Sequence, residues 1–140
     1  MKKMLLWEKI HSALSGIEDK LNSQNYSDES RELEVRKQFA LAELFSVIDL
    51  IGNLTENSKV KYELWLNRGY KGKKRKEISD SLGMSTDAIR ASVLYFDNRL
   101  EFFVGENIVG DIMSCNSNEE LKKIVDQFRY RVGSIKAYFR

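Results

Sequence analysis

Near the start of the chain Trp7, Ile10, Leu14, Ile17 and Leu21 recur at alternating steps of three and four, the spacing that lines side chains along one stripe of a helix. The polar stretch Asn22 to Ser27 closes that helix. Ser27, followed by Asp28 and Glu29, opens a second, because a serine oxygen accepts from the free amides of a first turn and acids there complement the helix dipole. Val35, Phe39, Ala42, Leu44, Phe45, Ile48 and Ile51 then make a broad apolar face down to Gly52. It is wide enough to cover the first helix and something further, so the two read as a helical hairpin. Thr55 and Glu56 cap a third helix, built on Val60, Tyr62, Leu64, Trp65 and Leu66 and closed by Gly69.

A basic loop follows, Tyr70-Lys71-Gly72-Lys73-Lys74-Arg75-Lys76. Beyond it the pattern predicts a short helix with Ile78 and Leu82 facing inward and small Ser79 permitting close approach of a neighbour. Gly83 can take the left-handed backbone of a sharp turn, Met84 plugs the corner, and Ser85 caps a new helix whose buried stripe is Ile89, Val93, Phe96 and Leu100. These two helices, from about Lys73 to Leu100, are expected to cross steeply. From Glu101 to Met113 apolar clusters mixed with glycines suggest a helix end, a turn and a short helix, with strand the weaker alternative. Ser117 with Glu120 three residues on is a capping box, opening a last helix with the face Leu121, Ile124, Val125, Phe128, Val132, Ile135 and Phe139.

The chain has 140 residues and no proline, so its helices never meet a ring clash and can run uninterrupted. The expected fold class is all-α: a helical bundle with a central helix-turn-helix and flanking amphipathic amino- and carboxy-terminal helices. Three segments are expected, a hairpin over residues 1–54 used for packing or dimerisation, a helix-turn-helix segment over 55–104, and a helical segment over 105–140. Apolar residues are 42% and charged ones 31%, a balance that excludes a disordered solvating tail. Glu8 and Lys9 interrupt the apolar start, so neither a signal peptide nor a spanning helix is expected and the location is read as cytoplasmic. Cys115 and His11 each stand alone, which rules out a cysteine-rich zinc site and a triad built on either. With no phosphate-cradling glycine loop, nucleophile elbow or paired-carboxylate signal, an enzyme is not expected, and neither is a cofactor or a metal.

The segment from Thr55 to Leu100 resembles the promoter-reading domain, region four, of bacterial sigma factors and its relatives among response regulators and small phage or mobile-element activators. Glu77-Ile78, the Leu82-Gly83-Met84-Ser85 turn, Ile89 in the inward slot and the Arg90–Leu100 helix ending in Arg99-Leu100 carry the resemblance, with Trp65 and Arg68-Gly69-Tyr70 in the supporting helix. It implies a helix-turn-helix transcription regulator bound to double-stranded DNA, the helix from Thr86 onward lying in the major groove with its first residues nearest the base edges. RNA polymerase is a further partner of such domains. The roughly 54 residues before the motif are too few for a polymerase-binding and strand-opening domain, so an activator is expected rather than an initiator.

Charge changes the picture by its location. Residues 58–100 hold ten Lys or Arg against five Asp or Glu, whereas 1–57 hold seven against ten and 101–140 six against six. Lys71, Lys73, Lys74, Arg75 and Lys76, with Ser85, are the expected phosphate-binding residues, positioning the protein without reading sequence. The same lysines could instead form a solvated basic loop. They oppose the dipole of the helix they precede, a placement that costs stability until an anion arrives. Thr86, Asp87, Arg90 and Ala91 are the expected base readers. Arg90 is suited to bidentate bonding of guanine, worth about 1 to 3 kcal/mol of discrimination, Asp87 to accepting from cytosine, and Thr86 or Ala91 to touching a thymine methyl. Asp87 also has a purely structural use in a first helical turn. Leu94, apolar on the face that should be wet, points to contact with the carboxy-terminal segment or a second subunit. The spare amphipathic stripes serve either internal packing or a homodimer, with Trp7 to Leu21 the first candidate seam. The alternative function is a protein-interaction module that binds RNA polymerase or a mobile-element protein without touching DNA.

Overall fold

The computed structural model describes residues 4–23, 27–69 and 71–138. Among them there is no strand, and the helices run α1 (Leu6–Leu21), α2 (Asp28–Gly52), α3 (Glu56–Gly69), α4 (Arg75–Leu82), α5 (Thr86–Val104), α6 (Ile108–Met113) and α7 (Asn118–Tyr138). The fold is an all-helical bundle. No described helix is long and apolar enough to cross a membrane. The side chain of Ile135, together with Phe139 and Tyr70, lies outside the described residues.

Local signals set most helix starts. Ser27 Oγ accepts from Ser30 N at 3.2 Å, Thr55 Oγ1 from Ser58 N at 3.0 Å, Ser85 Oγ from Ala88 N at 3.1 Å and Ser117 Oγ from Glu120 N at 3.2 Å, each satisfying an amide that the helix itself cannot. Glu120 reaches back one residue further than a capping box requires, to Asn116 N at 3.0 Å.

The helices share one core. Helix α5 is its axis, packed on α1, α3, α4 and α7, while α2 runs along α1, α3, α6 and α7. Ile10 and Ile17 of α1, Leu41, Leu44 and Ile48 of α2, Trp65 of α3 and Phe128 of α7 are all buried in it. The α1 stripe is thus covered within the chain, by α2, α5 and α6. Leu94 is half-buried against the same core.

The buried stripe of α2 differs from the apolar one. It runs through Glu34, Lys37, Leu41, Leu44, Ile48 and Ile51, while Phe39 is 69% exposed and Ala42 also faces out. The first turns of the inner face are taken by a charged pair, Glu34 and Lys37, in place of an apolar residue. Lys37 Nζ donates to the Met113 carbonyl at 3.0 Å, at the end of α6, and the Glu34 carboxylate lies 3.7 Å from it and 3.6 Å from Lys20 Nζ. A buried cation on a helix C-terminus with an acid beside it is tolerated where a lone charge would not be. Val60, also expected inward, is 59% exposed.

Two glycines allow close crossings. A Cβ on Gly52 would stand 2.3 Å from the Tyr62 ring, and one on Gly69 would stand 2.9 Å from Trp7 Cβ. Gly69 closes α3 as expected, without a positive φ, and its lack of a side chain lets Trp7 approach. Tyr62 Oη donates to Asp49 Oδ1 at 2.8 Å, and burial, reinforced by that carboxylate, holds the phenol well above its ordinary pKa.

The most deeply buried polar residue joins three helices. Asp97 of α5 is fully buried, and its Oδ1 accepts from Leu6 N at 2.7 Å and from Trp65 Nε1 at 3.0 Å. Leu6 N belongs to the first turn of α1, whose N-cap residue is Leu5 and which has no capping hydroxyl. The acid of α5 therefore finishes α1 and fixes the indole of α3.

Candidate nucleic-acid interface

The candidate surface is built by the end of α3, the basic loop, α4 and the start of α5. The loop folds back on α3: Lys71 N donates to Leu66 O at 2.9 Å, Lys73 N to Asn67 O at 2.8 Å, and Arg68 Nη1 to Lys73 O at 2.7 Å. Gly72, at φ 64°, makes the reversal possible. Carbonyls left open at the end of α3 are satisfied in this way, and the loop lysines are carried on backbone that is itself bonded.

Helices α4 and α5 are held together from beneath by Ile78 and Ile89, both buried. Between them Gly83 has φ 69° and donates its N–H to Ser79 O at 2.9 Å. Ser79 Oγ donates to the Met84 carbonyl at 2.5 Å, so the serine closes the corner by a hydrogen bond as well as by its small size. Leu82, expected inward, is 55% exposed. The eight-residue α4 buries Ile78 alone, and the last turn has already passed beyond the core when Leu82 is reached.

The four expected base readers, Thr86, Asp87, Arg90 and Ala91, all stand exposed on the first two turns of α5. Lys71, Lys73, Lys74, Lys76 and Ser85 are exposed and Arg75 is half-buried. Arg68, Lys74, Arg75, Lys76 and Thr86 line one open groove of about 490 Å³, which brings part of the phosphate set beside the first residue of α5. Lys71, Lys73, Asp87, Arg90 and Ala91 are not in its lining. Arg68, named in the sequence only as part of the supporting helix, is not among the expected DNA contacts; its signal is a cation in the last turn of that helix, one loop away from the lysine run.

None of Arg68, Lys71, Lys73, Lys74, Arg75, Lys76 or Arg90 makes an ion pair among the described residues. Moreover, one of the five acids in residues 58–100 is Asp97, buried on the core side of α5, so the charge excess at the surface exceeds that in the sequence. Lys74 occupies the N-cap of α4 without any side-chain cap, and Arg75 and Lys76 fill its first turn, with Glu77 the one acid there. Open amides and cations converge at this point, the combination that binds oxyanions such as phosphate.

No protein-family model, curated protein or solved structure matches the chain.

Among the described residues no group of three or more His, Cys, Asp and Glu is placed to hold a metal ion. Cys115 is buried with its thiol on the Asp111 carbonyl at 3.2 Å, and burial pushes its pKa up, the opposite of what a nucleophilic cysteine needs.

Proposed function

We infer that the protein is a sequence-specific DNA-binding regulator of transcription, with α4 and α5 acting as a helix-turn-helix and the start of α5 entering the major groove. The observation that carries this reading is the exposed first turn of α5 lying beside a groove lined by Arg68, Lys74, Arg75 and Lys76, cations with no carboxylate partner among the described residues. The resemblance of residues 55–100 to sigma region four supports the same geometry. In this mechanism the cations and the open amides of α4 hold the phosphate backbone and set the register. Arg90, with Thr86, Asp87 and Ala91, then reads base edges.

Selection of bound fragments from random-sequence duplexes, followed by sequencing, tests the reading. A short motif is expected to emerge with the natural chain. Arg90→Ala should lose preference at one base pair, worth about 1 to 3 kcal/mol there, while retaining affinity for unrelated duplexes. Absence of any enriched motif, or an Arg90→Ala loss equal for every sequence, contradicts it.

A further inference from the structure

The carboxy-terminal half of α5 carries a surface that the DNA-binding reading leaves unused. Phe102 is 81% exposed and Tyr95 48%, and Phe102 packs edge-on against Phe103 with ring centres 5.6 Å apart. A groove of about 380 Å³ runs between this part of α5 and the start of α3, bordered by Ile51, Leu54, Lys61, Tyr95, Arg99 and Phe103. A second depression of about 310 Å³ continues it over Asn98 and Phe102. Exposed aromatic area gathered in one place, unlike single exposed apolar side chains, marks an interaction surface.

Its charge is one-sided. No Asp or Glu lines either depression, and Lys61 and Arg99 form no ion pair among the described residues. They rest instead on the rings: Lys61 Nζ lies 4.0 Å from the centre of Tyr95, and the Arg99 guanidinium lies 5.8 Å from Tyr95 and 5.4 Å from Phe103. Arg99 Nη1 also donates to Tyr95 Oη at 3.1 Å. The cations are thereby held in place, pre-ordered, with their outer sides open to an anion.

We propose that this groove docks an acidic amphipathic helix of a partner protein, its apolar anchors against Tyr95, Phe102 and Phe103 and its carboxylates on Lys61 and Arg99. The lining residues of α5 span Tyr95 to Phe103, roughly 12 Å or two helical turns, which matches anchors at i, i+4 and i+7 of a bound helix. A single nucleic-acid strand fits less well, because a base needs a bare ring face to stack on and Lys61 Nζ already lies over the Tyr95 ring, whereas an aliphatic anchor can pack on the part of the ring that stays exposed. A carboxylate adds to the same cations without displacing them. Exposed ion pairs contribute little affinity, so the aromatic anchors supply most of the binding and the two cations select the partner's sign. The surface shares no residue with the DNA contacts proposed above, so either can fail alone.

Fluorescence anisotropy on the full chain tests this with three labelled probes: an 18-residue peptide with leucine at i, i+4, i+7 and i+11 and glutamate elsewhere, its lysine counterpart, and an oligothymidine of 16 nucleotides. The acidic peptide should bind at micromolar concentration and the lysine peptide at least tenfold more weakly. Phe102→Ala should weaken the acidic peptide about tenfold, and the double variant Lys61→Glu, Arg99→Glu should invert the preference between the peptides. All these positions are at least partly exposed, and a circular dichroism melt confirms that each variant folds. The proposal is overturned if the acidic peptide fails to bind at about 1 mM, if Phe102→Ala weakens the oligothymidine rather than the acidic peptide, or if the double variant leaves the peptide preference unchanged.

Discussion

Helices α1 and α4 begin with the same deficiency and resolve it differently. Leu5 and Lys74, their N-cap residues, have no capping hydroxyl or carboxylate of the usual kind. At α1 the chain makes good the lack itself: Glu8 Oε2 accepts from Leu5 N at 3.0 Å, and Asp97, 91 residues further on, accepts from Leu6 N at 2.7 Å. At α4 there is no side-chain cap, and the neighbours are Lys73, Lys74, Arg75 and Lys76. A helix start completed from within is structural; one left open among cations has a place for an anion from outside. If the protein works as proposed, that anion is the phosphate backbone of DNA.

The largest expected effect comes from removing the internal partner. Asp97→Ala leaves Leu6 N and the Trp65 indole N–H without their acceptor in a buried site, and each such loss costs roughly 1 to 3 kcal/mol. A fall in stability of about 3 kcal/mol or more is expected in urea unfolding, with Asp97→Asn much milder because it keeps an acceptor oxygen. Equal stability for Asp97→Ala and the natural chain would remove one side of the contrast.

Ser85→Ala deletes an ordinary cap, the one at the start of α5, and should cost about 1 kcal/mol. Lys74→Asp should do the opposite at α4, adding a cap and an acid to oppose the dipole, with a gain of about 0.5 to 1 kcal/mol. If α4 docks on phosphate as proposed, the same substitution should weaken DNA binding. A Lys74→Asp chain less stable than the natural one would show that the start of α4 is already satisfied.

Much of this architecture was legible because its causes are local. Ser27, Thr55, Ser85 and Ser117 each act on an amide three residues away, and Gly83 acts on its own backbone, so reading the residues in order finds them. The stripes of α1, α5 and α7 likewise repeat within a few turns. What escaped depends on residues far apart. Asp97 reads as a polar residue on a helix until the start of α1 is laid against it. Phe39 looks interior until Glu34 and Lys37 are found to occupy the inner face, held by the end of α6, and Leu82 looks interior because periodicity does not say where the core ends. In the candidate interface the lysine run and the first turn of α5 were visible, whereas Arg68 joins them only through the fold of the loop.

Whether the open start of α4 takes up a phosphate can be read from the salt dependence of binding to one fixed duplex, compared between the natural chain and Lys74→Ser. With a phosphate held there, the slope of log affinity against log salt should become shallower by about 0.9 in the variant. Parallel lines for the two proteins would mean that no phosphate contact is made at Lys74.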